Sequence, residues 1–212
     1  SVLHPWLGTR VLDDNGDLQP LSQLQVTSEI REYVVNPLID NHVIAMRAGT
    51  GITLGGTDFL GNYQLGGNFG DSAFFVTPDE FRMLRGYPFA YDIGDMYWVG
   101  NLEYRLPLWQ IQRGVGTLPA YARYVSGAVF VDTGNAFNSP AQSGQAATAS
   151  QFASAAFASP LVGVGAELSF SVMVGWGLGL NGRLGYAVGL TEGGLGFDNA
   201  LAPLYFRFGG SF

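Results

Sequence analysis

Ala166-Glu167-Leu168-Ser169-Phe170-Ser171-Val172-Met173 is the stretch whose reading decides the fold. It lies inside Leu161–Leu180, which holds a single charge, Glu167, and has about the length that spans a bilayer as a helix. Glu167, Ser169 and Ser171 alternate with Leu168, Phe170 and Val172, a period of two that puts polar and apolar side chains on opposite faces of a strand. Gly163, Gly165, Gly175, Gly177 and Gly179 are poor helix formers. The segment therefore reads as a strand with one face to lipid and the other to a wet lumen.

The same alternation recurs. Asn101, Glu103 and Arg105 oppose Leu102, Tyr104 and Leu106, and near the end Leu204, Phe206 and Phe208 oppose Tyr205, Arg207 and Gly209. Candidate strands number about eight: Leu24–Val34, His42–Thr53, Phe59–Gly66, Asp95–Leu108, Tyr121–Asp132, Leu161–Met173, Leu180–Leu190 and Leu204–Phe212. Several approach the span of a tilted membrane strand. Between them, Gly67–Gly94 is a long loop with Pro78 and Pro88, and Asn138–Pro160 is a charge-free, Ala- and Ser-rich segment that reads as a solvent-facing loop. Only 13% of residues are charged, about half the usual share of a soluble domain. The expected fold is all-β, a transmembrane antiparallel barrel forming one domain over residues 1–212.

Composition narrows the chemistry. A net charge of −7 and scattered basic residues argue against nucleic acid. With no Cys and two isolated His, His4 and His42, neither disulfides nor a thiolate or zinc site is available, so no metal and no cofactor is expected. Gly177-Leu178-Gly179-Leu180-Asn181-Gly182 fits the dinucleotide fingerprint in letters, but no helix follows and no βαβ unit surrounds it. Gly70-Asp71-Ser72 has no placed His-Asp partner, and Asp92 with Asp95, or Asp13, Asp14 and Asp17, read as solvated acidic loops rather than calcium ligands. The protein is expected not to be an enzyme.

Leu84-Arg85-Gly86-Tyr87 stands out in the long loop. A buried arginine is tolerable only beside carboxylates, and the downstream strands offer Glu103 and Asp132. Held by two carboxylates, a guanidinium binds in a bidentate manner that Lys does not reproduce. Such an arginine pins a loop rather than performing chemistry. Gly86 suits a turn tip needing positive φ or close backbone approach.

Leu65-Gly66-Gly67, Leu84-Arg85-Gly86-Tyr87, Asn101-Leu102-Glu103-Tyr104-Arg105-Leu106-Pro107, Val129-Phe130-Val131-Asp132-Thr133-Gly134-Asn135 and Phe206-Arg207-Phe208-Gly209-Gly210-Ser211-Phe212, in this order, resemble the C-terminal half of the BamA/TamA-like outer-membrane assembly-factor barrel, over residues 22–212. The resemblance implies that a long extracellular loop folds into the lumen and that its Arg85 tip binds Asp132, with Glu103 or Glu167 as further acceptors. It also implies that Phe206, Gly209 and Phe212 mark the C-terminal targeting strand. Two departures stand beside it. Asn68–Met83 separates the Gly-Gly pair from the arginine, and the chain offers about half of a sixteen-stranded barrel, with no periplasmic domain.

Three arrangements follow: eight strands closing alone, two copies pairing into a sixteen-stranded barrel, or a piece of a longer chain. An open half-sheet in hydrocarbon would leave backbone groups unpaired, at a cost of roughly several kcal/mol each. The implied function is assistance to insertion or passage of proteins at the outer membrane of a Gram-negative bacterium or the equivalent organelle. The expected partners are the lipid bilayer, other outer-membrane or secreted proteins, and a second copy or accessory lipoproteins. The rival readings are a passive pore, a structural membrane anchor, or an anchor for an upstream domain.

Overall fold

The computed structural model describes residues 2–3, 10–12, 18–20, 23–55, 62–67, 83–114, 117, 119–140, 147–175, 177–196 and 203–211. Its strands are β1 (Val2–Leu3), β2 (Arg10–Leu12), β3 (Leu18–Pro20), β4 (Gln23–Val35), β5 (Val43–Gly55), β6 (Tyr63–Leu65), β7 (Asp92–Gly94), β8 (Met96–Gly114), β9 (Ala120–Phe137), β10 (Leu161–Val174), β11 (Leu178–Gly189) and β12 (Leu204–Ser211), with one helix, α1 (Ala149–Ala156). A single antiparallel sheet runs β1-β4-β5-β8-β9-β10-β11-β12, and β2–β3 and β6–β7 form two small separate sheets. Among the described residues no helix is long and apolar enough to cross a membrane.

Period-two patterning sorts the side chains. On β8, Tyr97 and Val99 are each 2% exposed whereas Leu102 is 47% exposed, and on β12 Tyr205 is 5% exposed between Leu204 at 47% and Phe206 at 55%. Ile30, Met46, Leu54, Val129, Val131, Leu168 and Leu184 join the exposed set. A continuous apolar outer belt of this kind is what lipid, not water, stabilises. The Glu167 strand is β10, paired along its length with β9 and β11, so Leu161–Leu180 spans a strand and the start of the next.

Connections alternate in length. The short ones, 36–42, 115–119 and 175–177, lie at one end of the sheet, and the long ones, 56–95, 138–160 and 190–203, at the other. Gly175 (φ 62°) and Gly177 (φ 139°) close the tightest turn in conformations that suit glycine.

Four expectations need correction. Phe59–Gly66 is not a strand of the main sheet: its described part, β6, pairs with β7 inside the long loop. Alternation marked it as a strand, but a loop that folds back over a sheet also needs backbone partners. Asn138–Pro160 is not all loop, because Thr148 caps α1 through a reciprocal box with Gln151. The strands at Asp95–Leu108 and Tyr121–Asp132 extend to Gly114 and Phe137, with register shifts at Pro107/Trp109 and Gln110/Arg113 that absorb the proline, which cannot donate to the ladder. Finally, removal of Phe59–Gly66 changes the strand parity. Six successive antiparallel pairings connect β4 to β12, so those two strands run in the same direction. Leu24–Val34 and Leu204–Phe212 therefore cannot pair as antiparallel neighbours, and the only other described strand of the sheet is β1, which covers β4 just at Gln23 and Leu24.

Candidate functional site

The Leu84–Tyr87 turn of the long loop packs against the inner face of the sheet. Gly67 N–H donates to Tyr87 O (3.1 Å) and Leu195 N–H to Gly86 O (2.8 Å), so the tip is tied to its own base and to the loop after β11. Leu84 and Tyr87 pack with Leu65, Tyr63, Tyr97, Val99, Ala136 and Leu161 in the largest buried cluster. Gly86 has φ 94°, and a Cβ there would lie 2.7 Å from the Val188 carbonyl carbon. On β10, a Cβ at Gly163 would overlap the Arg85 carbonyl oxygen. Two glycines, one on the tip and one on the wall, thus permit backbone-to-backbone contact.

Arg85, 1% exposed, reaches four inward positions on three adjacent strands. Its Nε and Nη2 donate to the two carboxylate oxygens of Asp132 at 2.6 and 2.7 Å, and its backbone N–H to Oδ2 at 3.2 Å. Nη2 also lies 2.8 Å from Glu103 Oε1, and Nη1 3.9 Å from Glu167 Oε2. The guanidinium carbon sits 3.4 Å from the centre of the Phe130 ring. Glu103 on β8, Phe130 and Asp132 on β9 and Glu167 on β10 share the inner face because their registers place Glu103 opposite Phe130 and Gly163, two residues before Gly165, opposite Asp132. Burial by itself would lower the Arg85 pKa, but hydrogen bonds and charge from Asp132, with the charge of Glu103, outweigh it and hold the group above its ordinary value.

An outer ring of contacts braces the carboxylates. Arg105 Nη2 donates to Glu103 Oε2 at 2.6 Å, Tyr205 O–H to Glu167 Oε2 at 3.0 Å, and Arg183 Nη1 to Glu167 Oε1 at 3.4 Å. The Tyr87 hydroxyl accepts from Val162 N–H and Thr191 N–H, each at 3.1 Å, and lies 2.5 Å from Thr191 Oγ1. Nothing here is a nucleophile–base pair; the arrangement is a lock that fixes a loop against a wall.

The structure thus brings Leu84, Arg85, Gly86, Tyr87, Asp132, Glu103 and Glu167 into one assembly. Phe130, Tyr205, Arg183, Arg105 and Gly163 belong to it as well, and sequence reasoning passed over them. Their signal was parity: each stands an even number of residues from an inward carboxylate on its own strand or on the same face of the next. Phe206 lies on the outer face with its ring centroid 6.4 Å from that of Phe170, Gly209 pairs with Asn181 in the β11–β12 ladder, and Phe212 lies outside the described residues. Asp92 accepts Ala136 N–H (2.7 Å) and Asp95 accepts Ser139 N–H (2.6 Å), so they hold the loop base to the end of β9 and to the residues just after it. His42 Nδ1 lies 2.7 Å from the Tyr104 hydroxyl. Asp13, Asp14, Asp17, His4 and Gly70–Ser72 lie outside the described residues. Among the described residues no group of His, Cys, Asp or Glu could hold a metal ion.

The family model of the Omp85 superfamily domain matches residues 21–212. No curated protein and no solved structure matches the chain.

Proposed function

Because the chain belongs to the Omp85 superfamily, a family of outer-membrane barrels concerned with protein insertion and transport, we propose that it forms part of a barrel that assists the insertion or passage of other proteins at the outer membrane. It does so without bond-making chemistry. The observation that carries this reading is the docked tip: a buried arginine beside three carboxylates holds the Leu84–Tyr87 turn against the inner face of the sheet. A closed eight-stranded barrel is filled by its own side chains and leaves no room for such a loop, so the lumen is that of a larger barrel.

The outer edges of β12 and most of β4 carry no described partner. In hydrocarbon their backbone groups require one, supplied by further strands of a longer chain, by a second copy, or for β12 transiently by a client strand. The bilayer and client outer-membrane or secreted proteins are the partners that follow, with accessory lipoproteins as auxiliaries. The aromatic Phe206 on the terminal strand, with Gly209 and Phe212, fits a targeting signal. The test is the full-length protein in lipid vesicles, mixed with a urea-unfolded client barrel whose folding is followed by gel migration without boiling. Faster client folding with the protein than with empty vesicles is expected. Ion conduction without acceleration would refute the proposal and identify a passive pore.

A further inference from the structure

On the short-turn side, neighbouring strands of the sheet end at different heights. β5 pairs with β8 only from Met96 to Arg105, whereas β9 continues beside β8 to Gly114. Leu106–Gly114 therefore has a strand on one side alone among the described residues, and its other edge is open beyond the 36–42 turn. Unpaired backbone is not stable in hydrocarbon, so this projecting end stands at the aqueous mouth of the sheet. The open edge is not a smooth one. Pro107, the register shifts at Pro107/Trp109 and Gln110/Arg113, and Gln112 at φ 45°, uncommon for a residue with a Cβ, interrupt it. Proline and bulges keep an edge from zipping onto any regular strand, and bulges also re-aim side chains.

Beside this edge lies a cavity of about 420 Å³, lined by Gln110, Gln112, Tyr121, Arg123 and Tyr124 together with Ser126. Tyr124 and Ser126 stand opposite Ser171 and Ser169, which share the inner face with Glu167, so the cavity opens on the face away from lipid. Residues 106–126 contain Arg113 and Arg123 and no Asp or Glu, in a chain of net charge −7. Neither arginine has an ion-pair partner among the described residues, whereas Arg31, Arg85, Arg105 and Arg183 each have one. Arg113 stands opposite Ala122, next to Arg123. Trp109, Tyr121 and Tyr124 are exposed. Trp, Tyr and Arg without acids is the composition of surfaces that anchor protein partners.

We infer that this mouth binds an acidic polypeptide segment in extended conformation. Its carboxylates meet Arg123 and Arg113, its side chains pack on Tyr121 and Tyr124, and its backbone is met by the Gln110 and Gln112 amides and by the open edge. The site lies away from the docked tip, and binding is read without client folding, so it stands or falls independently of client insertion. The experiment titrates a rhodamine-labelled peptide of about twelve residues, alternating Glu with Thr, into the full-length protein in neutral detergent at low salt, followed by fluorescence anisotropy. Saturable binding is expected, weakened by added salt and absent for the counterpart with Lys in place of Glu. Arg123→Gln/Tyr124→Ala should weaken it at least tenfold, Arg123→Lys should weaken it less, and Phe157→Ala, at the long-loop end of the sheet, should leave it unchanged. Migration without boiling verifies that each variant is folded; should the double variant not fold, Arg123→Gln decides, because that side chain is exposed and holds no ion pair among the described residues. No saturable binding to the native protein, equal binding of the Lys peptide, or undiminished binding in whichever of the Gln variants folds overturns the inference. A native protein that binds phosphatidylglycerol micelles and not the peptide has a lipid surface there, and that result overturns it as well.

Discussion

Replacing Arg85 by Ala is the perturbation that tests the docked tip most directly. Asp132 is fully buried, and Arg85 supplies both of its short side-chain contacts as well as a backbone N–H. Glu103 and Glu167 are better protected, because Arg105 and Arg183 remain beside them. The loss is therefore dominated by one uncompensated carboxylate, about 3–5 kcal/mol for a broken buried pair. At about 1.4 kcal/mol per factor of ten, the docking equilibrium falls by roughly two to three and a half orders of magnitude. Amide hydrogen exchange reads it: Leu195 N–H donates to Gly86 O and Gly67 N–H to Tyr87 O, so both amides are protected only while the tip is docked. Their exchange should quicken by that factor in Arg85→Ala while amides of β9 and β10 stay protected. Arg85→Lys keeps the charge but loses the fork, for a smaller loss of about 1.5–3 kcal/mol. Arg85→Ala/Asp132→Ala should lose less than the sum of its single variants. Leu195 and Gly67 exchanging at native rates in Arg85→Ala, with the sheet intact, would refute the reasoning.

Gly163→Ala should undock the tip without touching any charge, since the new Cβ overlaps the Arg85 carbonyl oxygen; overpacking of this kind costs about 1–3 kcal/mol, and the same amides report it. Tyr87→Phe leaves the Val162 and Thr191 N–H groups without their acceptor, a loss of about 1–3 kcal/mol that should appear as faster exchange at those two amides alone. In detergent, far-ultraviolet circular dichroism should be dominated by strand, and unboiled protein should migrate differently from boiled protein; a helix-rich spectrum would contradict the fold. A cysteine in the Leu204–Ser211 strand should form no antiparallel-register crosslink with one in Gln23–Val35 of the same chain or of another, because the two strands run parallel. A crosslink ladder of antiparallel register would show the strand count to be wrong.

Alternation in Ala166–Met173, Asn101–Leu106 and Leu204–Phe208 was enough to establish the class of fold and the face of each side chain, because period two is a property of the local backbone. That Arg85 needs Glu103 or Asp132 was legible for a related reason, since a buried guanidinium demands acids, whereas the inward fold of the loop and Glu167 as an acceptor were implied by the family resemblance alone. Which strand belongs to which sheet was not legible. Phe59–Gly66 alternates as well as its neighbours do, yet its described part pairs with Asp92–Gly94 in the loop, and membership is decided by a distant partner rather than by the segment itself. The helix at Ala149–Ala156 turned on one cap and on support from the outer faces of β8 and β9, where Trp98 Nε1 donates to Ala156 O at 2.8 Å and Asn135 Nδ2 at 3.0 Å. Alternation put Arg105 on the polar face of its strand, whereas Arg183 was not singled out, and only the register across the sheet brings both against the carboxylates that hold the tip. Periodicity along the chain fixes direction, whereas convergence depends on the hydrogen-bonded ladder between strands far apart in sequence.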